Sequence, residues 1–524
     1  MNNSKNYYYP LILMGFLAFG VLIGSLLNRG TATADYASNY SKLQDVISII
    51  DQQYVDGVKS DSLFEETIAD MLHKLDPHSN YIPAKDLQLV NEQIEGKFGG
   101  IGVRFALIRD TICVTNVVPA SPSFQVGVKA GDKIIRVNKR SVVGKKITNE
   151  KVMGLLKGDP MTDVQVTIYR KKQQLEKTIQ RNLIPIGSIS CAELIQDNIG
   201  YIRLDQFSVT SAVEFEAAAQ KLLRQGMKKL IFDLRDNGGG VLSVAEQIAD
   251  HFLPAGRKIV EIRGKNQPSK LSTARAGGLL EDMPLVVIIN ENSASASEIL
   301  AGALQDNDRA LIVGRRSFGK GLVQQDFALK DKSNLRLTIA RYYMPSGRCI
   351  QKPFDEGYDA YYKDQLNREA AGEFFKPDSL RFKNCKKFKT VKGRTVMDAS
   401  GISPDYFIPL DTSNSTIYYI NLRYSPVFQH FAFDFVANKR GTWRSIQAFN
   451  AQFQPSDAMI QQLARYAQKT FQIPLIADQL AQSSSLIKRA LKAEIARQLF
   501  IEDGYFFVLS ASDNEIKKAV ALLK

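Results

Sequence analysis

Histidine and cysteine are scarce, with four of each among 524 residues, and there is a single tryptophan. His73, His78, His251 and His430 stand in no recognisable Ser-His-Asp setting, although such triads assemble in space and sequence does not exclude one. His251 reads as the end of a helix. Cys113, Cys191, Cys349 and Cys385 are widely spaced and form no Cys-x-x-Cys pair, so no catalytic thiol is expected. An even count permits disulfides in an exported protein, but spacing assigns no partners. No His/Cys/Glu cluster has zinc-ligand spacing and no phosphate loop is present, so neither metal nor cofactor is expected. No internal repeat stands out.

The formal net charge is +14. Its densest part runs from Arg381 through Lys389 to Lys392 and Arg394 with aromatics between, a pattern that would suit nucleic acid. The N-terminus argues for export instead, so the run reads as a solvated loop or one facing an anionic membrane. One long apolar run exists, Leu11 to Leu27, flanked by Lys5 and Arg29 with Tyr7, Tyr8 and Tyr9 at its near edge. Its length and interfacial tyrosines favour a membrane anchor over a cleaved signal, with Ala32-Thr33-Ala34 as the competing cleavage site.

Chemistry concentrates in Ser293-Ala294-Ser295-Ala296-Ser297-Glu298. Leu285 to Asn290 before it reads as a buried strand, and Ile299 to Leu304 after it as a helix. Ser295 therefore stands at a strand-to-helix turn, where unpaired backbone N–H groups favour a developing oxyanion. Ser295 and Glu298 also fit a capping box, the plainer alternative. Three features weigh against it, one being the lack of a recognisable histidine setting and the others a second turn and a candidate base. Leu230 to Arg235 leads through Asp236-Asn237-Gly238-Gly239-Gly240 into a helical Val241 to Phe252, a second turn of the same kind. Neighbouring parallel strands would bring both turns to one sheet edge. Ala310 to Gly314 leads to Phe318-Gly319-Lys320-Gly321, and a buried lysine is a usable base. Gln324, four along a strand from Lys320, would orient its amine.

In these stretches, and in the 25-position spacing from Ser295 to Lys320, the chain resembles the carboxy-terminal processing, or tail-specific, proteases. The resemblance implies Ser295 as nucleophile, Lys320 as general base and Gln324 as the residue that positions it. It implies an oxyanion hole from Ala296 and Gly239 or Gly240, and a structural role for Asp306. Gly238 departs from the proline of many relatives, which leaves the oxyanion glycine open.

The implied fold class is α+β and multidomain, with a mixed α/β catalytic core that has crossover helices. An inserted PDZ β-sandwich or barrel and helical N- and C-terminal regions complete it. The expected order is a tail at 1–9, the anchor or signal at 10–28, a helical region at 36–95, and a PDZ domain at 96–185. A protease core follows at 186–410, with an insertion at 353–394, then a helical domain at 411–524. Leu75-Asp76-Pro77-His78-Ser79 reads as a proline turn. Ala130 to Asn138 and the helical Thr148 to Leu156 resemble PDZ domains, whose loop, here Gly100, Ile101, Gly102 and Val103, would hold a substrate's C-terminal carboxylate. Met161-Thr162 departs from a glycine-threonine pair of relatives, at a turn. The expected partners are protein or peptide substrates and, through residues 10–28, a membrane, but no nucleic acid. The order of domains leaves a homo-oligomer or an activating partner open. The expected location is extracytoplasmic: the periplasm, anchored in the inner membrane. The alternatives are a silent tail-binding scaffold and an acyl-CoA-handling enzyme, for which a PDZ segment makes little sense.

Overall fold

The structure is a computed structural model. It describes residues 13–16, 18–20, 33–57, 60–196, 198–265, 268–377, 385–398 and 400–524. The chain divides into two units, Met1–Met71 and Leu72–Lys524. The first holds the Thr33–Gln53 helix and most of the Ser60–His73 helix. Among the described residues no helix is long and apolar enough to cross a membrane. Most of the 10–28 segment lies outside the described residues.

The second unit is built on a six-stranded sheet. Its order is Ile189–Gln196, Ile199–Leu204, Lys229–Asp233, Leu285–Ile289, Leu311–Gly314 and Tyr406–Phe407. The first pair is antiparallel and every later pair parallel. The runs are continuously apolar because both faces are covered. Ile202, Leu230, Phe232, Val287 and Ile312 face a core shared with the helices Ser211–Arg224, Leu242–Asp250 and Ala296–Asp306. Tyr201, Ile231, Val286, Ile288 and Val313 point the other way, onto Ile516, Ala519, Val520 and Leu523 of the Asn514–Leu523 helix. The last helix of the chain thus seals the second face of the central sheet. At the end of Ala296–Asp306, Asp306 pairs with Arg348 at 2.7 Å, both side chains fully buried, which fits the structural role expected of it.

A second, antiparallel sheet carries Asn80–Ile82 against Asn334–Tyr343, which also pairs with Lys258–Gly264 and with Leu322–Ala328. The region expected to be helical over 36–95 therefore contains a short strand, drawn into a sheet by a partner more than 250 residues away. The PDZ fold lies over an antiparallel sheet ordered Val103–Ile108, Thr111–Val117, Lys133–Val137, Asp163–Arg170 and Gln173–Gln180, with the Asn149–Leu156 helix. Lys97–Gly100 pairs with Asn182–Pro185 where the chain enters and leaves this domain. Seven helices follow from Ile417 to Leu523, and the Ser484–Ser510 helix is kinked at Phe500 and Ile501. Along this helix Ile487, Ala490, Leu491 and Ile495 are buried at helical spacing and Leu486 is only partly buried. Phe433 of this region packs on Ala106, Ile108 and Cys113 of the PDZ sheet, and His430 Nε2 donates to the Leu107 carbonyl at 3.0 Å.

Ile516→Ala should cost about 2–5 kcal/mol, because it opens a cavity under the central sheet. Ending the chain after Asp513 should abolish cooperative unfolding. Denaturant titration checks both.

Candidate active site

Ser295 sits beyond the Leu285–Ile289 strand at the cap of the Ala296–Asp306 helix, with φ 56° and ψ −113°. A non-glycine residue in this region costs about 1–3 kcal/mol and persists only when its surroundings hold it. The turn before it is held by Ser293, whose hydroxyl donates to the Leu234 carbonyl at 2.8 Å and accepts the Asn290 N–H at 2.9 Å.

Glu298, fully buried, holds the turn after it. One carboxylate oxygen accepts the N–H of Ser295 at 2.8 Å and of Lys320 at 2.9 Å. The other accepts the Ser317 hydroxyl at 2.5 Å and the Gly319 N–H at 2.7 Å. Burial pushes this carboxyl above its ordinary range, and the four donors oppose that shift. The capping box is present, but its glutamate also fastens the lysine loop to the serine turn. Tyr342 adds a second tie, its hydroxyl donating to the carbonyls of Ser295, at 3.2 Å, and of Lys320.

The Lys320 amine donates to Gln324 Oε1 at 2.8 Å, not to Ser295. The Gln324 amide in turn donates to the His78 carbonyl. Burial, aided by the Arg336 charge, lowers the Lys320 pKa to about 8, against the opposing pull of Glu298 and Asp76. A group with that pKa is half neutral at mildly alkaline pH, whereas a solvated lysine is almost wholly charged there. The His78 ring is pushed down to about 3, by burial first and then by Lys320. That ring contacts the Tyr361 hydroxyl at 2.8 Å, so it forms no triad with Ser295.

Gly239 lies against the serine, with φ +99°. A Cβ there would meet the Ala294 carbonyl at 2.7 Å, Ser295 Cβ at 2.8 Å and the Ala296 nitrogen at 2.9 Å. Its own N–H donates to Asn237 Oδ1 at 2.9 Å. Gly240 crosses under Phe207, whose carbonyl a Cβ would meet at 2.1 Å. Gly238 faces open space, so its departure from proline leaves the turn undisturbed. Ala296 is the first residue of its helix, where the helix supplies no acceptor for the N–H. Asp233 lies beneath the turn, held well below its usual range against burial by Arg235 and Arg203.

In the PDZ domain Ile101 is buried and Gly102 has φ +78°. The Ile101 carbonyl accepts the Ser123 N–H at 3.0 Å and the Gly102 carbonyl accepts the Val118 N–H at 2.9 Å. The loop precedes Val103–Ile108, an edge strand. Cys113 and Cys191 are buried and their thiols pushed up by burial, to about 11 for Cys113; neither forms a disulfide.

Sequence reasoning named Ser295, Lys320 and Gln324, which the fold brings together, and did not name Tyr342, the His78 carbonyl or Tyr361 beside them. Leu75 to Ser79 was legible only as a turn, and 353–394 only as an insertion. Backbone carbonyls leave no residue-type signal.

A model of peptidase family S41 matches residues 198–357 and one of the PDZ domain matches 99–180. A model of the N-terminal domain of the activating protease CtpB matches 24–86, and a family of unknown function matches 418–502. The chain is 34% identical over 370 residues to a carboxy-terminal-processing protease of Bartonella bacilliformis, spanning 66% of this chain and 84% of that protein. It is 32% identical to a probable CtpA-like serine protease of Staphylococcus aureus, over 60% of this chain and 63% of that one. Among solved structures it is similar to a photosystem II D1 C-terminal processing protease, with 24% identity and TM-score 0.36. That match covers 70% of this chain and 92% of the other.

Glu298→Gln turns an NH2 group toward N–H donors. It should destabilise the fold by about 2–4 kcal/mol and lower turnover by at least about 100-fold, read by denaturant titration and peptide hydrolysis.

Proposed function

Because the chain belongs to the carboxy-terminal-processing proteases of peptidase family S41, serine peptidases with a PDZ domain, we propose that its chemistry is run by a Ser295–Lys320 dyad. The observation that carries this reading is the half-buried Lys320, held by Gln324 and tied through Glu298 to a strained Ser295. Neutral Lys320 takes the Ser295 hydroxyl proton as the oxygen attacks the scissile carbonyl carbon. The oxyanion is met by the Ala296 N–H and by the glycine turn. For Gly239 to contribute, its N–H exchanges Asn237 for the substrate oxygen, and Gly240 is the other donor in reach of the turn. The lysine then gives its proton to the leaving amine, which breaks the peptide bond and leaves an acyl-enzyme. It next deprotonates a water that hydrolyses the ester.

The substrate's tail adds as a strand along the start of Val103–Ile108, short of Leu107, whose carbonyl His430 occupies, with its carboxylate held by the Gly100, Ile101, Gly102 and Val103 backbone. Two features support this. The carbonyls of Ile101 and Gly102 are engaged within the domain, and the neighbouring strand is a sheet edge. The same reading puts the enzyme in the periplasm, anchored through residues 10–28, on the strength of the Leu11 to Leu27 run. A phosphatase reporter fused after residue 40 should be active; an inactive one would place the chain in the cytoplasm.

Cleavage of an unstructured protein with an apolar C-terminus should fall by on the order of 10^4-fold or more in Ser295→Ala and in Lys320→Ala, with the fold intact. A mere helix cap would cost only about 1 kcal/mol of stability and leave turnover unchanged. Tail binding without cleavage by the unaltered chain would favour the scaffold. Because Lys320 must be neutral, kcat/KM should rise about tenfold per pH unit below pH 8 and level off above it. A flat profile would count against the dyad.

A further inference from the structure

A side-chain amide has two ends, and only the oxygen end of Gln324 can accept from the Lys320 amine. The carbonyl of His78 decides which end faces the lysine. It is a pure acceptor, so the Gln324 NH2 turns toward it and the oxygen toward Lys320. If that carbonyl moved, the amide could rotate and aim N–H at the base, turning the lysine's lone pair away from Ser295.

The carbonyl is held from three sides. The Asp76 carboxylate accepts the N–H groups of His78 and Ser79, each at 2.8 Å, and the Ser79 hydroxyl at 2.5 Å. Thr338, paired across the sheet with Gln324 itself, donates its hydroxyl to Asp76 at 3.0 Å and its N–H to the Ser79 hydroxyl at 3.1 Å. From the inserted segment, the helix Tyr358–Ala370 lies over the loop. Tyr361 meets the His78 ring at 2.8 Å, and Tyr362 donates to the Pro77 carbonyl at 3.0 Å. Lys352 lies over the rings of Tyr361 and Phe318, the latter two residues before Lys320.

We propose that the Asp76–Ser79 turn, clamped by Thr338 and by Tyr361 of the inserted helix, is a positioning element of the active site that fixes the Gln324 amide and thereby aims the Lys320 amine. This rests on the reading of Lys320 as the base. The insertion is then part of the catalytic apparatus, which nothing in its sequence suggested.

The test uses uncharged changes in the full chain, because Asp76 also acts on Lys320 through its charge. The other charged groups acting on the amine, Glu298 and Arg336, stay in place, and His78 stays neutral. Ser79→Ala with Thr338→Val loosens the turn, and Tyr361→Phe is the milder change that removes one hydroxyl. Each is made with Gln324 present and in Gln324→Ala, and kcat and KM are followed against pH. With Gln324 present, the plateau kcat should fall by on the order of 10-fold at near-constant KM. The inflection should move below pH 8, since the charged amine loses its acceptor. In Gln324→Ala the same changes should add little, as expected of groups acting through one another. Unchanged kcat, or an equal loss in both backgrounds, overturns the proposal. If Lys320→Ala still cleaves, the dyad reading itself has failed; if it is inactive while the loop changes are additive, only the role of the turn has.

Discussion

One buried carboxylate holds the site together. Glu298 accepts from the Ser295 turn with one oxygen and from the Ser317 hydroxyl and Gly319 with the other, while Lys320 shares the first. These donors come from two loops that leave adjacent parallel strands. Without the shared acceptor, three N–H groups and a hydroxyl would lose their partner, and the strained Ser295 backbone would be left with the Ser293 and Tyr342 side chains. A single glutamate thus couples the Ser295 turn to the Lys320 loop.

Burial acts on the same few residues in opposite senses. It drives Lys320 toward its neutral form, and it raises the Glu298 carboxyl against the four hydrogen bonds that oppose the shift. It also keeps the His78 ring uncharged beside the lysine. The same loss of water thus acts on the Lys320 amine and on the hydrogen-bonded Glu298 carboxyl. That requires the cover supplied by the Tyr358–Ala370 helix and the Asp76–Ser79 turn.

The flanking regions are structural as well as modular. The Asn514–Leu523 helix completes the central sheet, and Asp513 just before it reaches Arg235 at 2.7 Å beside the glycine turn. Of the helices between, Val427–Val436 packs Phe433 on Ala106, Ile108 and Cys113 of the PDZ sheet and sets His430 on the Leu107 carbonyl, so it engages the far end of the Val103–Ile108 edge. The PDZ domain is also tied to the helix that precedes it, Ala84–Glu95, Lys157 meeting Glu92 at 2.6 Å.

Sequence by itself determined the central strands, because their β-branched runs are buried on both faces. It also singled out Ser295, Lys320 and Gln324, because their types and spacing are chemically constrained, and the PDZ segment, because its turns demand glycine. It read Glu298 as a cap and stopped there, since its other partners lie some twenty residues on and meet it only in space. Tertiary structure alone decided that Asn80–Ile82 becomes a strand, that the last helix belongs to the central core, and that an insertion covers the lysine. Each depends on contacts between residues far apart in the chain, made largely by backbone groups and apolar surfaces. Every residue has a carbonyl, so nothing in the letters marks that of His78 as the one Gln324 would face.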